Sequence, residues 1–113
     1  MLTPAQASLL RLLSIGDEAP IRSAADLDRA HATLDPRTTA LVRLALLIAR
    51  DGPLPAYQRE VQAALDAGAS VDEIVSLLLV LAQRAGSSAV VTAAPKVAMA
   101  LGYDVEAGLE SLV

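Results

Sequence analysis

The tetrad Ser70-Val71-Asp72-Glu73, with the apolar run behind it, constrains this chain more than any other stretch. Gly68 marks the end of one helix and Ser70 the start of another. The spacing fits a capping box: the serine oxygen accepts an orphan backbone N–H, and the glutamate reaches back to the serine's own N–H. Ile74, Val75, Leu77, Leu78, Leu79, Val80, Leu81 and Ala82 follow, interrupted only by Ser76. A surface helix carries one apolar stripe and one wet face. This stretch has no wet face before Gln83 and Arg84, so it predicts a helix covered on every side.

Similar punctuation recurs along the chain. Thr3-Pro4 reads as an N-cap with proline at the first helical position, and Gly16 as the stop of a helix bearing Leu9, Leu10, Leu12, Leu13 and Ile15. Asp17-Glu18-Ala19-Pro20 reads as a loop. Ser23 caps an expected short helix, Ala24–Thr33, that turns Leu27, Ala30 and Leu34 inward and keeps Asp28, Arg29 and His31 at or near the surface. Asp35-Pro36 is the clearest helix start. The apolar segment Ala40–Ala49 follows it, interrupted by Arg43 and ended by Asp51-Gly52-Pro53. Pro55 opens a helix over Ala56–Ala67, with Val61, Ala64, Leu65 and Tyr57 inward and Gln58, Arg59, Gln62 and Asp66 outward. Gly86-Ser87-Ser88 is a further stop and cap before Ala89–Leu101, a helix with Pro95 inside it. Asp104 caps a last helix, Val105–Leu112, with Leu109 and Leu112 packing back. No period-two alternation demands a strand. The expectation is an all-α bundle of six to seven helices in a single domain, residues 1–113.

Composition narrows the partners. Apolar residues make up 54% of the 113, yet there is no Phe, Trp or Cys and only two Tyr. The longest unbroken apolar runs, Leu44–Ala49 and Leu77–Ala82, fall far short of the roughly 18–20 residues of a membrane span. Met1–Gln6 lacks the basic region and cleavage site of a secretory signal, so a cytoplasmic location is expected. Without cysteine there is no disulfide, redox pair or thiolate ligand. A lone histidine, His31, makes no metal site, and Asp26 and Asp28 lack further ligands; no metal or other cofactor is expected. The net charge is −4 and the basic residues are scattered, which argues against nucleic acid.

Burial supplies the strongest expectation. Thr38–Ala49, Ile74–Ala82 and Ala89–Leu101 are each apolar around most of their circumference. A domain of this size hides only some 60–70% of its unfolded surface, and each large apolar side chain left wet forfeits roughly 1.5–3 kcal/mol. Such a chain is expected to hide these faces against copies of itself, as an obligate homo-oligomer.

The order of these signals, from Leu34-Asp35-Pro36-Arg37-Thr38 through Gly68-Ala69-Ser70-Val71-Asp72-Glu73-Ile74 to Pro95, resembles the carboxymuconolactone decarboxylase family. That family includes the alkylhydroperoxidase-D-like proteins. The resemblance spans roughly three-fifths of the chain, residues 34–101. It implies an all-α domain that forms a trimer or a hexamer. The family's redox members carry two cysteines three apart, a histidine four residues after the second, and an upstream glutamate. By this resemblance those places fall on Pro53, Ala56, Glu60 and Ala40 or Leu41. The motif is therefore absent, and a thiolate-dependent peroxidase reaction is not expected.

The pocket position implied by the resemblance leaves Glu60, Arg59 and Tyr57 as candidates. Glu60 is either a proton-transfer group or a solvated rim charge. Gln83 and Arg84 either face the same cavity, where Arg84 would suit a carboxylate, or mark where their helix reaches water. Arg43 is either an inter-subunit ion-pair residue or a pocket cation, and the Lys96 stem is expected to run out to solvent. Two functions follow: acid–base chemistry on, or binding of, a small carboxylated molecule, with Glu60 catalytic and Tyr57, Arg59, Gln83 and Arg84 substrate-binding; or a catalytically silent assembly module.

Overall fold

The computed structural model describes residues 1–24 and 33–110. Every regular element among them is a helix: α1 Pro4–Ser14, α2 Ala19–Arg22, α3 Pro36–Arg50, α4 Leu54–Asp66, α5 Val71–Ala85, α6 Ser87–Ala100 and α7 Val105–Glu110. The chain divides into two compact units, Met1–Asp35 and Pro36–Val113. The expected helix Ala24–Thr33, with Asp26, Asp28 and His31, and the expected contact of Leu112 lie largely outside the described residues.

In the first unit α1 packs on α2. Thr3 caps α1 in a full capping box, its Oγ1 accepting from Gln6 N while Thr3 N donates to Gln6 Oε1. The segment expected as a loop after Gly16 contains one helical turn, α2, because Asp17 Oδ1 accepts from Ala19 N at 2.9 Å and an ion pair joins Glu18 to Arg22. None of the leucines of α1 is fully buried, and Leu34 is exposed rather than turned inward.

In the second unit α3 packs against α4, α5 and α6; α4 also packs on α6, and α6 on α5 and α7. The helical period selects the core. Ala40, Leu44 and Ile48 recur every fourth residue along α3, and Tyr57, Val61 and Ala64 line one face of α4. Ala69, Ile74, Ala93 and Val97 complete it. Tyr57 is the largest fully buried side chain.

The Gly68–Ser70 junction forms as the sequence predicts. Gly68 takes a φ of +97°, where a side chain would be strained, and so lets the chain leave α4. Its N–H donates to Leu65 O while Ala69 N donates to Ala64 O, the bond pair of a Schellman motif with Ala69 buried beneath it. Ser70 Oγ then accepts from Glu73 N at 3.0 Å, and Ser70 N donates to Glu73 Oε1 at 2.9 Å. Arg37 of α3 reaches the same carboxylate, its Nε 3.2 Å from Oε1, and ties the cap to the neighbouring helix.

Three expectations are corrected. Helix α6 begins at Ser87 rather than after a serine cap, because Gly86 at φ +91° serves as both C-cap of α5 and N-cap of α6. Leu109 does not pack back and is 59% exposed. Helix α5 is not covered on every side within the chain: only Ile74 is fully buried, while Val71, Val75, Leu79 and Val80 are open to solvent. Val42 and Leu46 on α3 and Val91 and Met99 on α6 are likewise exposed. The neighbours of α5 within the second unit cover one side of it, and the side turned outward carries Asp72, Ser76 and Gln83 with Leu79 and Val80 exposed among them.

Candidate functional site

The bend between α3 and α4 gathers a connected polar group of three side chains. Asp51 ends α3 in the left-handed region, at φ +55°, which is uncommon for a residue with a side chain. Tyr57, one turn into α4, buries its ring and donates its hydroxyl to Asp51 Oδ1 at 2.9 Å. Lys96 arrives from α6. Its Nζ donates to Asp51 Oδ1 at 2.9 Å, to Oδ2 at 3.2 Å and to the Gly52 carbonyl at 3.1 Å, and lies 5.5 Å from the centre of the Tyr57 ring. The Lys96 stem therefore does not run free to solvent; it pins the bend.

The electrostatics follow from these contacts. The Lys96 ammonium, and then the Tyr57 hydroxyl, hold the Asp51 carboxyl below its ordinary range. Burial, reinforced by the hydrogen bond to the Asp51 carboxylate, pushes the Tyr57 hydroxyl up to about 12. At neutral pH the group is a carboxylate, an ammonium and a protonated phenol bonded to one another. Such an arrangement is suited to holding a loop. The signals in the sequence were a lone lysine on an apolar helix and an aspartate directly before Gly-Pro.

The residues singled out in the sequence lie around this bend and beyond it. Pro53, Ala56 and Glu60, the places matched by resemblance to the redox motif, fall at the N-cap of α4, in its first turn and one turn on. Ala40 is in the core and Leu41 packs against it. Glu60 is half-buried at the edge of the buried face of α4, flanked on the helix by Tyr57, Val61 and Ala64. Arg59 points the other way, into a shallow surface depression it shares with Gln58, Gln62 and Asp66. Gln83 and Arg84 are exposed in the last turn of α5, and Arg43 is exposed on α3. Among the described residues, no hydrogen bond or ion pair joins Tyr57, Arg59, Glu60, Gln83 and Arg84 to one another. No three His, Cys, Asp or Glu side chains among them come together as a metal site.

A second feature is apolar. Helices α5, α6 and α7 enclose a groove of about 620 Å³ lined by Val71, Val75, Leu78, Val91 and Leu101, with Tyr103 at its edge.

Helix order, caps and the connection across the α3–α4 bend define an all-α helical scaffold without a thiol centre. The carboxymuconolactone decarboxylase family profile matches residues 19–99, and the chain belongs to that family. No curated protein and no solved structure matches it. No helix among the described residues is long and apolar enough to cross a membrane.

Proposed function

We propose that this chain is a homo-oligomeric, non-redox member of its family that serves as an assembly or interaction module. The observation that carries the reading is the open apolar surface of the second unit, with Val42, Leu46, Leu79, Val80 and Val91 all exposed. Surfaces of this kind mark protein–protein contacts. Resemblance to trimeric and hexameric proteins supports three or six copies. The family match runs from the first compact unit into the second, which supports treating residues 1–113 as one domain. A cytoplasmic location, with no cofactor, nucleic-acid or membrane partner, belongs to the same reading. Light scattering at micromolar concentration tests it: a trimer or hexamer mass is expected, and a monomer overturns it.

One observation favours a second reading. Glu60 is half-buried and has no hydrogen-bond or ion-pair partner among the described residues. In this reading it transfers a proton to or from a small carboxylated molecule, with Arg84 and Gln83 as the anchor. A thermal-shift screen of small carboxylates tests binding, since a ligand at about 100 Kd adds roughly 2.7 kcal/mol. Glu60→Gln then tests the role: unchanged turnover of any substrate found removes Glu60 from the mechanism.

A further inference from the structure

Two exposed surfaces of the second unit have opposite charge and the same layout. On α3, Leu46 is 52% exposed, and Arg43 and Arg50 stand three residues before it and four after. At 3.6 residues per turn both arginines fall on one flank of Leu46, about 60° and 40° round the helix. Helix α3 carries no acidic residue. On α7, Leu109 is 59% exposed, with Glu106 three residues before it and Glu110 directly after. Both glutamates again share one flank, about 60° and 100° round in the same sense. Helix α7 carries no basic residue. Arg43, Arg50, Glu106 and Glu110 are all exposed, and none has a side-chain hydrogen bond or ion pair among the described residues.

Each surface supplies what the other lacks. Resting on the reading of this chain as a homo-oligomer, we infer that α7 of one copy docks antiparallel on the outer face of α3 of the next. With Leu109 of the partner subunit seated on Leu46, the partner's Glu106 comes level with Ala49, about 1.5 Å along the axis from Arg50. The partner's Glu110 comes level with Ala45, about 3 Å along the axis from Arg43. Arginine side chains span both offsets. When two helices face each other antiparallel, flanks of the same sense meet, so both glutamates lie beside the arginines. A parallel arrangement turns them to opposite sides. Leu46 and Leu109 are then covered between two ion pairs, an apolar centre with a charged rim. The two patches differ, so the contact is heterologous and repeats from copy to copy round a ring, as a trimer needs.

Charge reversal in the intact chain tests the docking by sedimentation equilibrium at low salt, where surface charges are least screened. The variant R43E/R50E places glutamates against glutamates, and E106R/E110R places arginines against arginines. Each is expected to associate at least tenfold more weakly than the wild-type chain, with helix content unchanged by circular dichroism. The variant carrying all four reversals restores opposite charges and is expected to recover assembly. An equimolar mixture of the two double variants is expected to form mixed pairs that neither forms alone. If the wild-type chain assembles but the double variants assemble as well as it does, or if neither the fourfold variant nor the mixture recovers, this interface is wrong and the oligomer stands. If the wild-type chain is a monomer, the reading beneath it fails as well. Where a reversal costs helix content, R43Q/R50Q and Leu109→Ser take its place. Weaker association is expected of both, and unchanged association overturns the docking.

Discussion

Lys96 and Asp51, 45 residues apart in the chain, meet at 2.9 Å and close the bend between α3 and α4. The contact holds Asp51 in a left-handed backbone conformation that few side-chain-bearing residues adopt. It also sits above the buried ring of Tyr57, so one ammonium serves an ion pair, a carbonyl and an aromatic face.

If this clamp acts as a unit, its parts are coupled. Lys96→Met and Asp51→Asn are each expected to lower the melting temperature, Asn being chosen because it tolerates the left-handed region. The double variant should lose less than the sum of the two. Purely additive losses in a double-mutant cycle would mean the two side chains do not support each other.

Tyr57→Phe keeps the ring and removes only the hydroxyl that donates to Asp51. The expected cost is about 1 kcal/mol, seen as a fall of a few degrees in melting temperature. In a Tyr103→Phe background the remaining tyrosine should ionise near 12 rather than 10, followed by tyrosinate absorbance with circular dichroism to monitor folding. Because the folded value is raised, this contribution to stability is full below pH 10. It is lost as pH climbs from 10 towards 12.

Glu73 gives the opposite dependence. The Arg37 guanidinium, then the Ser70 N–H, depress its carboxyl from 4.5 to about 2. Its contribution is therefore full above pH 4.5 and is lost as pH falls towards 2. Urea midpoints measured across that window should fall steeply for the wild-type chain and less steeply for Glu73→Gln.

Two leucines on α3 separate core from surface. Leu44 is fully buried and Leu46 is 52% exposed. Leu44→Ala is expected to cost about 2–5 kcal/mol by leaving a cavity. Leu46→Ala should cost under about 1 kcal/mol in chains diluted to monomers, read from denaturant midpoints, and any larger effect should appear in association.

Much of this architecture is legible one helix turn at a time. The Ser70–Glu73 box, the Gly68 stop and the Asp104 cap rest on groups within five residues of each other, so their spacing in the chain is their spacing in space. The family resemblance rests on the order of those same signals, and the match over residues 19–99 agrees with it. The single turn at Ala19–Arg22 was missed because its support comes from Asp17 and the Glu18–Arg22 pair, residues that equally suit a loop.

Sequence alone determined that the chain is helical, where most of its helices begin and end, that it holds no thiol, and that it carries more apolar surface than a small unit can hide. Only the tertiary structure decided which side of each helix is hidden. On α5 the line of Asp72, Ser76 and Gln83 is interrupted by Leu79 and flanked by Val80, too sparse a polar face to settle the burial of the leucines and valines; packing on α3 and α6 selected Ile74 for burial and left Leu79 and Val80 open. The Asp51–Tyr57–Lys96 clamp was decided the same way. Its members lie on separate elements, and only the packing of α6 against α4 brings the one lysine to the one bend that needs it.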